Sequence, residues 1–143
     1  MFSLFSFWNR ILKLSLIPSM TSDTSPSGVA SANVFSSTAY NAFNGTGWAA
    51  TNTGGFIIVY QFPSKRIISK YYVSTVSSAN IGWGDIEGSN DGSSWTTISS
   101  SNPFIMGSVS LPNNTKPYSY YRLVFSGGSG SSISGLRWQL DGY

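Results

Sequence analysis

An antiparallel β-sandwich of about eight short strands is the architecture this sequence predicts, and three observations predict it. Apolar and β-branched runs alternate with turn signals from residue 28 almost to the last residue. Charged residues make up only 9% of the chain and aromatics 15%, with Ser, Gly, Asn and Thr filling the intervals. That composition suits a turn-rich all-β domain and is unlike disordered or coiled-coil chains. Third, residues 86–98 read as a hairpin. Asp91-Gly92 tolerates positive φ, Asn90 and Ser93 can bond their own backbone, and 95–98 is aromatic and β-branched.

Residues 1–18 stand apart. Ser3, Ser6, Asn9, Arg10 and Lys13 recur at a spacing of three and four, opposite Leu4, Phe5, Trp8, Ile11, Leu12 and Leu16. The period is that of a short amphipathic helix, which Pro18 terminates. Basic residues interrupt the apolar run, so neither a secretory signal nor a membrane span fits. A helix this short is marginal alone in water and needs a surface to lie on. Phe5, Trp8, Ile11, Leu12 and Leu16 are the expected docking face. A partner protein, a membrane surface and the chain's own domain stay open as its target.

Residues 19–27 are rich in Ser and Thr and read as a linker, leaving 28–143 as the domain. Residues 28–36 predict a first strand, 40–45 a turn-like segment ending in Asn-Gly, and 48–55 a loop. Residues 56–62 and 67–76 are strong strands. Trp95 and Ile98 fall on opposite faces of the hairpin's second strand, so one meets the core and the other a rim or partner. Residues 104–111 are a weaker strand ahead of a Pro-Asn-Asn turn. Residues 118–125 and 133–140 are strands separated by a glycine-serine loop at 127–132. No helix of length is expected after residue 18.

The net charge of +3 comes from eight Lys and Arg against five acids, scattered without a run. No nucleic-acid footprint results. The chain has no Cys and no His. Disulfides, thiol nucleophiles, Cys/His zinc sites and the usual general base are thereby removed. Asp85 and Glu87 are two residues apart on one strand, and Asp91 is explained by its turn, so no glycosidase-like carboxylate pair is expected. The expectation is a compact β-domain poorly equipped for catalysis.

Three segments together resemble one family. They are Ala42-Phe43-Asn44-Gly45 with Trp48 and the strand 56–62; Glu87-Gly88-Ser89-Asn90-Asp91-Gly92 with Trp95; and Tyr120-Tyr121-Arg122-Leu123 with the closing strand. In this order, over residues 20–143, they resemble the discoidin, or coagulation-factor C-type, domain. The resemblance implies a galactose-binding-like jelly-roll sandwich whose end loops bind sugar, phospholipid head groups or protein. It also implies a structural calcium in many members, held by an Asp in the first loop and a Glu near the last strand. Here those positions are Asn44 and Arg137, with Asp23 the nearby acid that would compensate, so a calcium site is weakly supported. Trp83 stands one residue earlier than the family's pattern.

Sugar binding needs an aromatic face and planar or charged polar groups. Trp48 and Trp83, flanked by glycine and polar residues, are the candidate platforms, with Trp48 equally readable as a plug in the sandwich end. Asn44, Asn52, Asn80, Asp85 and Arg137 are the polar candidates. Trp95 and Trp138 read as core or near-core. Arg122 reads as structural, its guanidinium satisfied by backbone carbonyls. Sandwiches resembling this one occur in bacteriophage tail, fibre and capsid-surface proteins. The resemblance thus implies a virion-associated protein, tethered to other virion proteins through residues 1–18, displayed in many copies and adhering to host-surface glycan. A purely structural virion subunit, a membrane-surface module and an extracellular location remain the alternatives.

Overall fold

The apolar runs become eight strands in the computed structural model, which describes residues 15–52, 54–101 and 106–143. In chain order they are β1 Val29–Ala32, β2 Trp48–Thr51, β3 Phe56–Arg66 and β4 Ile68–Ser74. There follow β5 Ser77–Ser89, β6 Thr96–Ser101, β7 Gly107–Ser110 and β8 Tyr118–Gly142. Every pairing is antiparallel. The predicted amphipathic residues 1–14, with Phe5, Trp8, Ile11 and Leu12, lie outside the described residues, as do Thr53 and 102–105.

β8 belongs to both layers of the sandwich. Its first half lies between β3 and β5, with β1 outside β3 and β6 outside β5. Its second half pairs with β4, which carries β7 on its far edge, and with β2. The glycine-serine stretch expected as a loop is instead the bend where β8 passes from one layer to the other. Register shifts in β5 between Ala79 and Gly84 accompany the bend. A strand that changes sheets through an irregularity is how sandwich corners are made. Gly135, at φ 68, sits just beyond the bend; a Cβ there would collide with Val76.

Alternation then fills the interior. On β3, Phe56, Ile58, Tyr60 and Phe62 are buried; on β8, Tyr121, Leu123 and Phe125 face them from the same layer, and Leu136, Trp138 and Leu140 belong to the second half. Phe62 meets Tyr121 and Tyr60 edge-on at centroid separations of 6.1 and 4.9 Å, an arrangement that aromatic quadrupoles favour. The buried phenols keep hydrogen-bond partners. Tyr60 donates to the Ser27 carbonyl at 2.7 Å, and burial pushes its pKa up to about 12. Tyr121 donates to the Arg66 carbonyl at 2.6 Å and accepts from the Ile68 N–H at 3.3 Å.

Several local expectations change. Residues 36–43 form a 3₁₀ segment, Ser36–Phe43, entered through Phe35 at φ 49. Trp48 starts a strand and not a loop. The stretch 19–27 is no linker: Met20 is buried, Ala30 donates to the Asp23 carbonyl, and Tyr40 N–H donates to Asp23 Oδ1. Leu16 packs on the domain's own core, its N–H on the Leu140 carbonyl at 2.7 Å, so it is unavailable as a docking residue for a partner.

The central hairpin forms as read. Asp91 Oδ1 accepts from Ser93 and Ser94 N–H groups at 2.8 and 2.7 Å. Those backbone bonds hold its carboxyl well below the usual carboxylate range. Trp138 is core, but Trp95 is not. Trp95 lies half-buried against Tyr120 and under the Arg122 guanidinium, 4.1 Å from its carbon. Arg122 therefore takes side-chain partners, Trp95 and the carboxylate of Glu87, in place of the expected backbone carbonyls.

Replacing Tyr121 with Phe strips the acceptor from the Ile68 N–H and the donor from the Arg66 carbonyl while preserving the ring. Orphaned buried groups cost about 1–3 kcal/mol. Urea unfolding of Tyr121→Phe is expected to show a loss in that range with an unchanged m-value; a midpoint equal to wild type would contradict the assignment.

Candidate functional site

The outward positions of β5 build the most open of the candidate sites. Gly84 and Ile86 face the core, so alternation sends Trp83, Asp85 and Glu87 to the outer face. Trp83 is 41% exposed, and its backbone is fixed by a 2.8 Å bond from its N–H to Ser126 Oγ at the β8 bend. Across the β5–β6 ladder, Ser100 pairs with Asp85 and Ser101 with Gly84. Trp83, Asp85, Ser100 and Ser101 together line a shallow cavity of about 430 Å³, within the roughly 300–1,000 Å³ typical of small-molecule sites. An apolar ring face beside a carboxylate and two hydroxyls is a surface that both stacks and hydrogen-bonds.

The remaining predicted residues separate into other groups. Trp48 is 0% exposed, packed edge-on against Phe56 with its Nε1 donating to the Phe35 carbonyl at 3.4 Å. It cannot meet a ligand, and the plug reading is the one that fits. Gly47 backs directly onto Gly135, letting β2 close on β8 and bury the ring. Asn52 and Asn80 converge on Ser131 at the β8 bend. The Asn52 N–H donates to the Ser131 carbonyl at 3.2 Å, and Ser131 Oγ donates to the Asn80 carbonyl at 2.9 Å. Asn52 also gives its side-chain amide to the Gly55 carbonyl at 2.6 Å. It shapes a loop more than it offers a ligand contact. Asn80 is exposed and sits at φ 54, a left-handed position asparagine tolerates.

Asn44 and Arg137 line a second cavity, of about 220 Å³, with Ser15, Ser19, Trp138 and Gln139. The loop that carries Asn44 is closed by its own side chain. Nδ2 donates to Asn41 Oδ1 at 3.1 Å, and Oδ1 accepts the Thr46 N–H at 2.9 Å. No carboxylate lines this cavity and a guanidinium does, which does not suit a hard divalent cation. Asp23, the acid that might have compensated, spends Oδ1 on the Tyr40 N–H. Among the described residues no group of three or more acids forms a metal cluster. The family's calcium therefore does not fit the residues present.

Sequence reasoning missed Ser100 and Ser101. A Ser-Ser-Ser run carries no signal of its own, and only the ladder register places it against Asp85.

The fold is the galactose-binding-like, discoidin-type jelly roll. Carbohydrate-binding modules share it. CpGH89CBM32-6 of Clostridium perfringens superposes with a TM-score of 0.65 at 18% identity, covering 85% of this chain and 99% of its own. The CBM32 of AlyQ, solved with 4,5-unsaturated mannuronic acid, gives 0.61 at 19% identity over 79% of this chain and 93% of that one. CpGH89CBM32-5 of Clostridium perfringens, solved with GalNAc-β-1,3-galactose, gives 0.58 at 19% over 78% and 90%. No protein-family model matches the sequence, and no curated protein matches it.

A native-state ion at 100 times its Kd stabilises by about 2.7 kcal/mol. Thermal unfolding with millimolar calcium and with chelator is expected to give the same Tm. A rise with calcium that the chelator reverses would restore the metal.

Proposed function

We propose that this chain is a non-catalytic glycan-binding module that reads sugar at the outer face of β5 and β6. The observation that carries the reading is Trp83, exposed in a cavity shared with Asp85, Ser100 and Ser101. The apolar face of a pyranose stacks on the indole. Asp85 accepts hydroxyl hydrogens, and the serines give and take them. The jelly-roll fold shared with modules solved on sugar ligands supports this reading.

A shallow, open site of this kind binds weakly. Millimolar affinity corresponds to about 4 kcal/mol, and linked copies raise avidity by roughly 10²–10⁴. Display on a larger particle, a virion surface or appendage, would supply those copies, with the apolar segment 1–14 as the tether. Because Leu16 and Ile17 pack into the domain, the tether ends before residue 15.

Multivalent display of the protein on a glycan array should return a defined set of sugars. Trp83→Ala should lower affinity for them at least about tenfold, equivalent to 1.4 kcal/mol, with Tm unchanged. No sugar bound at any valency, or equal binding by Trp83→Ala, would refute the site. Separately, deletion of residues 1–14 should leave a folded domain that binds the same sugars but no longer co-sediments with its particle. A truncated protein that still does so would contradict the tether.

A further inference from the structure

The cavity on the outer face of β5 and β6 carries an imbalance of charge that stacking and hydroxyl contacts leave unused. β5, β6 and the part of β8 that pairs with β5 contain three charged residues, Asp85, Glu87 and Arg122. Two of them cancel. The Arg122 guanidinium is held by the Glu87 carboxylate and lies over Trp95, one outward position further along β5. Asp85 has no ion-pair partner among the described residues, and the sequence after Ser101, residues 102–105, is uncharged. The cavity therefore holds one surplus negative charge on a chain whose net charge is +3.

That charge stands beside an indole. Trp83 and Asp85 leave the same face of β5 two residues apart, so their Cα atoms are about 7 Å apart at strand rise. An ammonium is attracted to an indole face within about 6 Å of the ring centroid, and a carboxylate bonds the same group at about 2.8 Å. One cation seated above the gap meets both side chains. An anionic sugar there would instead face Asp85 as a like charge.

We propose that the Trp83 cavity selects sugars that carry a free amine, with Asp85 setting the preference. This selection presupposes that the cavity binds glycan at all, and it names the class of sugar. The pyranose stacks on Trp83 and meets the hydroxyls of Ser100 and Ser101, while its ammonium turns to the Asp85 carboxylate. N-acetylation of the sugar removes the positive charge, as acetylation of a lysine does, and with it both attractions. The chain's overall positive charge repels a cationic glycan, so any preference for the amine is local to this cavity.

The test is calorimetric titration of the full chain with three tetrasaccharides at mildly acid pH and low salt. They are a β-1,4 tetramer of glucosamine, its fully N-acetylated counterpart and a tetramer of galacturonate. The amine tetramer should bind at least about tenfold more tightly than the N-acetylated one, with galacturonate weakest. Added salt should narrow that gap, because the ion pair is open to solvent. Asp85→Asn, checked for an unchanged Tm, should abolish it; should that variant fold poorly, the acetylation and salt comparisons on the natural chain carry the test. An amine tetramer bound no better than either of the others, or a preference that survives Asp85→Asn, overturns the selection and leaves glycan binding standing. No binding of any of the three, nor of any sugar on the array, overturns glycan binding and the selection together.

Discussion

The whole architecture hangs on one strand being shared by two sheets. β8 is 25 residues long and contributes buried side chains to both layers, Tyr121, Leu123 and Phe125 before its bend and Leu136, Trp138 and Leu140 after it. Once it bends, β5 must bend with it along the same ladder, and the register shifts near Asn80 and Ile81 are the result. The bend is held by short polar contacts: Ser131 to Asn80 and Asn52, and Ser126 to Trp83. The candidate sugar platform is thus a by-product of the corner, its aromatic ring aimed by the residues that make the corner possible.

Much of this was legible in the sequence. The strand at 56–62, the one beginning at 67 and the Asp91-Gly92 hairpin have strong local signals and all form, while the inward face of the near-continuous apolar run 56–62 is visible only in the structure, as Phe56, Ile58, Tyr60 and Phe62. Residues 48–51 and 127–132 were misread for a common reason. Glycines in or beside these stretches look like loop composition, yet they serve close approach. Gly47 against Gly135 and Gly55 against the Phe125 carbonyl bring backbones together where a side chain would part them. Such contacts join residues more than 60 positions apart, beyond the reach of any local pattern.

The site was legible only in part, and the errors are physical ones. Trp83 was singled out by its glycine and polar flanks, which suggest a loop; it is exposed, but on a strand, where alternation sets it on the same face as Asp85. Trp48 was open to two readings, platform or plug; its flanking glycines suggest exposure, but tertiary closure buries it and leaves the plug. Trp95 was read as core or near-core from its strand pattern; it is half-buried, against Tyr120 and under the Arg122 guanidinium, which Glu87 holds. Asn44 and Arg137 were paired through a resemblance to a metal site, and the cavity they share turns out to carry the opposite electrostatic sense.

The corner and the hairpin turn sit at opposite ends of β5, with Trp83 and Ser89 about 20 Å apart at strand rise. A glycan ligand therefore has a testable address. Backbone amide shifts mapped during titration with the best-bound sugar are predicted to concentrate at Trp83, Asp85, Ser100, Ser101 and Ser126. Shifts gathered instead around Asp91 and the far turn, or spread evenly over the domain, would contradict the account.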